Sequence, residues 1–230
     1  MKKLILLSTL FCSQLMAQEA LTNPAILYIG DSHSNGKLGT TIEQNLKTIS
    51  DHVVMESSCG SSAYPWLGKT GYEKTVCGFW KKDGNEEIRS VEHQTPKYSD
   101  ELAKYAPKLA IIQLGTNMAA AEKPQNARSS IDQLMKLAKE SGAECIWIGP
   151  PDANSKIVTK DKLKIVNDML IELSNTNGCY YIDSLQLTSF PKDSKEGIHY
   201  PPSLSKEWGE KVSTLILKRI NEINEVKPEN

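Results

Sequence analysis

The sequence predicts a three-layer αβα sandwich around a five-stranded parallel sheet. Two observations carry this. Short, continuously apolar runs end in Gly or polar residues, as strands buried on both faces do. Between them lie segments whose apolar residues recur at helical spacing, and strands alternating with helices imply a parallel sheet covered on both sides. The 230 residues fit one such domain, and the composition is that of a globular protein, with 39% hydrophobic and 24% charged residues.

Taken in order, the strands are Ala25–Ile29, Val53–Met55, Leu109–Leu114, Cys145–Ile148 and Cys179–Ile182. A helical region is expected after Asn35-Gly36. Ile131, Leu134, Met135 and Ala138 share one helical face, as do Leu163, Val166, Leu170 and Leu173. Leu204, Trp208, Val212, Leu215 and Ile216 mark a final helix, and Lys227 to Asn230 a polar tail. Residues 60–100 break the rhythm, showing neither a clear helix nor a clear strand. They carry Tyr64, Trp66, Tyr72, Phe79 and Trp80 among polar residues. A long irregular segment in a compact domain is often functional, and such aromatics suit stacking on sugar rings, with Tyr64 and Trp66 as substrate-binding candidates. The alternative is a stapled excursion whose aromatics form a satellite core.

The first 17 residues are expected to be a signal peptide. Lys2 and Lys3 form a basic start, Leu4 to Phe11 an apolar stretch, and Leu15-Met16-Ala17 a cleavage site before Gln18. This predicts export to the periplasm or beyond, with residues 18–230 as the mature domain. No apolar run reaches the roughly 18–20 residues of a membrane-spanning helix. The net charge of −1 gives no electrostatic reason to expect a nucleic-acid partner.

Export makes the remaining cysteines, Cys59, Cys77, Cys145 and Cys179, candidates for disulfides. Four cysteines allow three pairings; Cys59–Cys77, closing a loop, and Cys145–Cys179, joining two strand starts, are preferred over the alternatives or over four free thiols. No Cys-x-x-Cys spacing points to zinc.

In an open parallel sheet, ligands bind beyond the carboxyl ends of the strands. The first strand ends in Gly30-Asp31-Ser32-His33-Ser34, where a serine would gain from backbone N–H groups and a helix N-terminus. A hydroxyl needs a base to become a nucleophile. His33 adjoins Ser32 and its side chain is expected to point elsewhere, His52 to be exposed, and His93 to lie in the insert. His199, in the loop before the last helix with Glu196 three residues earlier, can bring base and orienting acid together.

These residues resemble the SGNH, or GDSL-type, hydrolases. Gly30-Asp-Ser-His-Ser34 is similar to their first block, Cys59-Gly60-Ser61 to the second, Gly115-Thr-Asn117 to the third, and Glu196-Gly-Ile-His199 with Trp208-Gly209 to the last. The blocks follow the family's order and span most of the mature chain. The resemblance implies a flavodoxin-like fold, Ser32 as nucleophile, His199 as base, and an oxyanion hole from Ser32, Gly60 and Asn117. It implies no cofactor and no metal. Two departures stand out: Glu196 occupies the place usual for aspartate, with Asp193 or a main-chain carbonyl as the alternative acid, and Met118 follows Asn117 where aspartate is common. Relatives of this size include polysaccharide and peptidoglycan O-acetylesterases. An acylated carbohydrate is therefore the expected substrate, ahead of a lysophospholipase-like lipolytic activity, acyl transfer, or a glycan-binding domain without turnover.

Overall fold

A computed structural model describes residues 21–69, 73–192 and 196–225. The proposed signal peptide, Tyr72, Asp193 and the polar tail lie outside the described residues.

Among the described residues seven strands form one sheet, in the order β4 (Glu86–His93), β3 (Glu73–Asp83), β2 (Val53–Ser58), β1 (Ile26–Gly30), β5 (Leu109–Gln113), β6 (Glu144–Ile148) and β7 (Tyr180–Ile182). Five are parallel: β1, β2, β5, β6 and β7. These are the five anticipated from the apolar runs. Their alternate side chains serve two cores. Leu27, Ile29, Ala110, Ile112 and Trp147 face α2 (Tyr98–Tyr105), α4 (Arg128–Glu140) and α5 (Lys160–Asn177). Ile26, Tyr28, Leu109, Ile111, Ile146 and Ile148 face α1 (Lys37–Leu46) and α7 (Pro202–Glu225). Short helices α3 (Thr116–Ala120) and α6 (Ser184–Leu187) complete the set.

The insert differs from expectation. Residues 73–93 form an antiparallel hairpin, β3 (Glu73–Asp83) and β4 (Glu86–His93), which extends the sheet beyond β2. Its loop is Gly84-Asn85, with Gly84 at φ +58°, a combination that two-residue type II′ turns favour. The strand is cryptic because Glu86 to Glu92 are all exposed along the sheet edge, so no apolar alternation marks it. A register shift between Lys74 and Phe79 contains Cys77 and Gly78.

Both preferred disulfides are present. Cys59–Cys77 ties the end of β2 to this irregularity, with Cα atoms 5.7 Å apart. Cys145–Cys179 links β6 to the start of β7 at a Cα separation of 4.6 Å. No helix among the described residues is long and apolar enough to cross a membrane.

Helix α1 lies hard against the turn that follows β1. A Cβ on Gly39 would sit 2.0 Å from the Ser34 carbonyl oxygen and 2.9 Å from the Trp80 ring. Backbone cannot yield as a flexible side chain can, so Gly39→Ala is expected to cost about 1–3 kcal/mol of stability, the usual range for overpacking. Chemical denaturation measures this; an unchanged unfolding midpoint would contradict the close approach.

Candidate active site

The site forms where the chain leaves β1 and its neighbours. β1 pairs in parallel with both β2 and β5, and Gly30 lies level with Ser57 on one side and Gln113 on the other. Residues 31–36 form a turn in which Ser34 N–H donates to the Asp31 carbonyl at 3.0 Å. Helix α1 begins at Lys37, directly after Asn35-Gly36 as expected, and Ser32 sits in the turn that leads into it.

Ser32 Oγ lies 2.9 Å from His199 Nε2, across 167 residues of sequence. Glu196 holds the same histidine twice. One carboxylate oxygen lies 2.6 Å from His199 Nδ1, and the other accepts the His199 backbone N–H. Partial burial works to raise the Glu196 carboxyl, but these hydrogen bonds outweigh it and hold it below the usual carboxylate range. The histidine loop is anchored by the segment after β6. Asn154 N–H donates to the Gly197 carbonyl at 2.8 Å, and Tyr200 Oη donates to the Asp152 carbonyl at 2.8 Å. Gly197 adopts φ +80°, and a Cβ there would meet the Asn154 carbonyl oxygen at 2.3 Å.

Gly60 has φ +79°, a conformation that favours glycine, and its Cβ position faces open space. Asn117, the second residue of α3, donates through Nδ2 to the Ser61 carbonyl at 2.9 Å, which joins the second and third blocks. Asn35 performs a similar task for the insert. Its Nδ2 donates to the Cys77 carbonyl at 3.0 Å, and its Oδ1 accepts from Ser57 Oγ at 2.5 Å. Arg89, stacked on Trp80 with 5.0 Å to the ring centroid, reaches the Asn35 carbonyl from β4 at 3.4 Å. The disulfide-linked hairpin is thereby fastened to the turn that carries Ser32.

The aromatic candidates divide. Tyr64 is 51% exposed, with Lys69 Nζ 5.5 Å from its ring centroid. Trp66 is fully buried in a short 3₁₀ turn, packed in the core with Nε1 donating to Ser61 Oγ at 3.1 Å. A ring without an accessible face cannot stack on a sugar, so Trp66 is a scaffold for the Gly60-Ser61 segment and not a binding residue. Trp80 is likewise buried. Among the other histidines, His52 is exposed and His93 is buried beside Ser58 Oγ at 3.1 Å.

Two neighbours were not anticipated. His33 does not point away: its ring centroid lies 5.2 Å from that of His199. Thr116 Oγ1 lies 3.1 Å from His33 Nε2. In a strand adjacent side chains diverge, but in this turn Ser32 and His33 converge. Below them, Asp31 is fully buried, its Oδ1 accepting the His33 N–H at 3.0 Å. No cluster of three potential metal-ligating side chains occurs among the described residues.

The parallel sheet, its flanking layers and the position of the site at the strand-order switch form a fold found in solved structures. Three of them illustrate it. They are a carbohydrate acetylesterase family member from Sinorhizobium meliloti (TM-score 0.61, 15% identity, 85% of this chain and 98% of that one), esterase EstA from a Pseudoalteromonas species (0.59, 15%, 85% and 98%), and a GDSL-like lipase from Bacteroides thetaiotaomicron (0.60, 15%, 90% and 92%). By sequence, Protein BcsX of Komagataeibacter xylinus is 22% identical over 217 residues, covering 90% of this chain and 82% of that protein. No protein-family model matches the chain.

Burial pushes the Asp31 carboxyl from 3.8 up to about 7. The unfolded chain therefore ionises at lower pH than the native one, and the native state loses stability as pH rises through that window. Asp31→Asn keeps the acceptor for His33 N–H and removes the titration. Its unfolding free energy should fall less steeply than that of the unmodified protein between pH 4 and 7; parallel curves would contradict a neutral buried Asp31.

Proposed function

We propose that the chain is an exported serine esterase of the SGNH type, which removes O-acyl groups, acetyl foremost, from a carbohydrate or peptidoglycan substrate. The observation that carries this reading is the continuous Ser32–His199–Glu196 hydrogen-bond chain, at 2.9 and 2.6 Å, on the carboxyl side of the parallel sheet. Nucleophile, base and orienting acid stand in the order that acyl transfer requires.

In the reaction, Ser32 Oγ bonds to the ester carbonyl carbon as its proton passes to His199 Nε2. The tetrahedral oxyanion takes the backbone N–H groups of Ser32 and Gly60 and the Asn117 amide hydrogen not given to Ser61. Collapse breaks the bond to the alcohol oxygen, which receives the proton from His199. Water then repeats the sequence on the acyl-serine and releases the acid. Glu196, kept ionised, holds His199 in the tautomer that presents a lone pair to Ser32.

The substrate class rests on exposure and export. His199 and Glu196 have side chains 48% and 50% exposed, so an acyl group on a bulky polymer can reach them without entering a tunnel, and exposed Tyr64 offers a ring for a sugar. The two disulfides fit an oxidising compartment, which agrees with residues 1–17 serving as a removable leader.

Hydrolysis of p-nitrophenyl esters from acetate to octanoate tests the reading. Acetate should be preferred, Ser32→Ala and His199→Ala should fall to background, and Asn117→Ala should lose about 10²–10³ in turnover, as expected for one oxyanion donor. Rates that rise with chain length would favour a lipolytic enzyme. An undiminished rate in Ser32→Ala would overturn the mechanism.

A further inference from the structure

The proposed base is held from one side by a carboxylate that is itself half exposed. An ion pair so open to water and salt constrains geometry only weakly. Yet His199 must keep Nε2 on Ser32 Oγ while it gains and loses a proton, and an imidazole bonded at Nδ1 can still rock about that bond. A second contact is needed to fix the plane of its ring.

That contact is His33. Its side chain is buried, and three elements hold it. The turn after β1 fixes its backbone through the N–H bond to Asp31 Oδ1. α3 supplies Thr116 Oγ1 at 3.1 Å from Nε2. α7 supplies Trp208, edge-on at a centroid distance of 5.4 Å and an interplanar angle of 80°. Trp208 is in turn fixed by its Nε1 hydrogen bond to Ser184 Oγ at 3.1 Å. The same His33 ring also meets the His199 ring, tilted by 52° at 5.2 Å.

We propose that His33 is a positioning residue: its ring, clamped by Thr116 and Trp208, is the wall that sets the plane of the His199 imidazole against Ser32. The inference rests on the esterase reading of Ser32 and His199 and assigns a role to a residue which that reading leaves unused. Burial also pushes the His33 imidazole down to about 3, so the wall stays uncharged at neutral pH and does not repel the imidazolium that forms on His199 during turnover. The contact is one of shape, and a flat uncharged ring of similar breadth should reproduce most of it.

The test is the kinetics of p-nitrophenyl acetate hydrolysis by the unmodified protein, His33→Ala, His33→Phe, Thr116→Val and Ser32→Ala, with circular dichroism to verify folding. Misplacing a catalytic group by about 1 Å can cost roughly 10²-fold. His33→Ala should therefore lower kcat by about 10- to 100-fold while KM stays within about twofold, because the substrate does not touch the wall. His33→Phe should recover kcat to within about fivefold of the unmodified protein, and Thr116→Val, which loosens the ring without removing it, should lose about three- to tenfold in kcat alone. An unchanged kcat in His33→Ala, a loss confined to KM, or a His33→Phe variant as slow as His33→Ala would each overturn the proposal. If His33→Ala does not fold, His33→Phe and Thr116→Val decide, and full kcat in Thr116→Val overturns it. Activity retained in Ser32→Ala would instead defeat the esterase reading; an inactive Ser32→Ala beside a fully active His33→Ala defeats only the role of His33.

Discussion

The central position of β1 governs the rest of the molecule. β1 is paired in parallel on both sides, and the chain crosses to opposite faces of the sheet at this strand: α1, after β1, lies on one face, and α3 and α4, after β5, on the other. Beyond its carboxyl end the flanking connections diverge, and such a switch point is the place where open α/β sheets bind ligands. The level registration of Gly30 with Ser57 and Gln113 sets the turn carrying Ser32 between the segments carrying Gly60 and Asn117. A shift by one residue would exchange the two core faces of β1 and move the serine out of this alignment.

Around this switch point the structure uses cross-links instead of depth. Asn117 ties α3 to the Ser61 carbonyl, Asn35 ties the turn carrying Ser32 to the Cys77 carbonyl, and Asn154 ties the post-β6 segment to Gly197. Each bond joins segments far apart in sequence that are not paired in the sheet. The Cys59–Cys77 disulfide adds a covalent tie next to Gly60, so the proposed oxyanion donor lies beside a cross-linked point of the insert. This allows the functional groups to stay exposed and still be placed: their supports are buried or bonded even where His199 and Glu196 are open to water.

Much of this was legible in the sequence, for identifiable reasons. β1, β2, β5 and β6 are almost wholly buried and the edge strand β7 partly so, and each appears as an apolar run, while α4, α5 and α7 carry clear periodic faces. Ser32, Gly60, Asn117 and His199 stand at strand ends or in the loop before the last helix, where their type and order are informative. β4 was not legible, because an exposed edge strand is specified by its pairing with β3 and by the Gly84-Asn85 turn; that dipeptide was the available signal. Trp66 misled because composition does not tell which side of a 3₁₀ turn faces the core. Adjacency to Ser32 does not turn His33 away, because residues 31–36 form a turn in which neighbouring side chains can converge. Glu196 in place of aspartate is accommodated by a loop with Gly197 at positive φ, which brings the longer side chain back onto His199.

The central claim is that Ser32 is a nucleophile activated by His199. The most direct measurement is covalent trapping with an activated alkyl phosphonate ester, followed by intact-mass analysis and peptide mapping. The account predicts one adduct per chain, located on Ser32, and its loss or strong slowing in His199→Ala. Absence of an adduct in the folded, unmodified protein, or modification at another residue with Ser32 untouched, would contradict it.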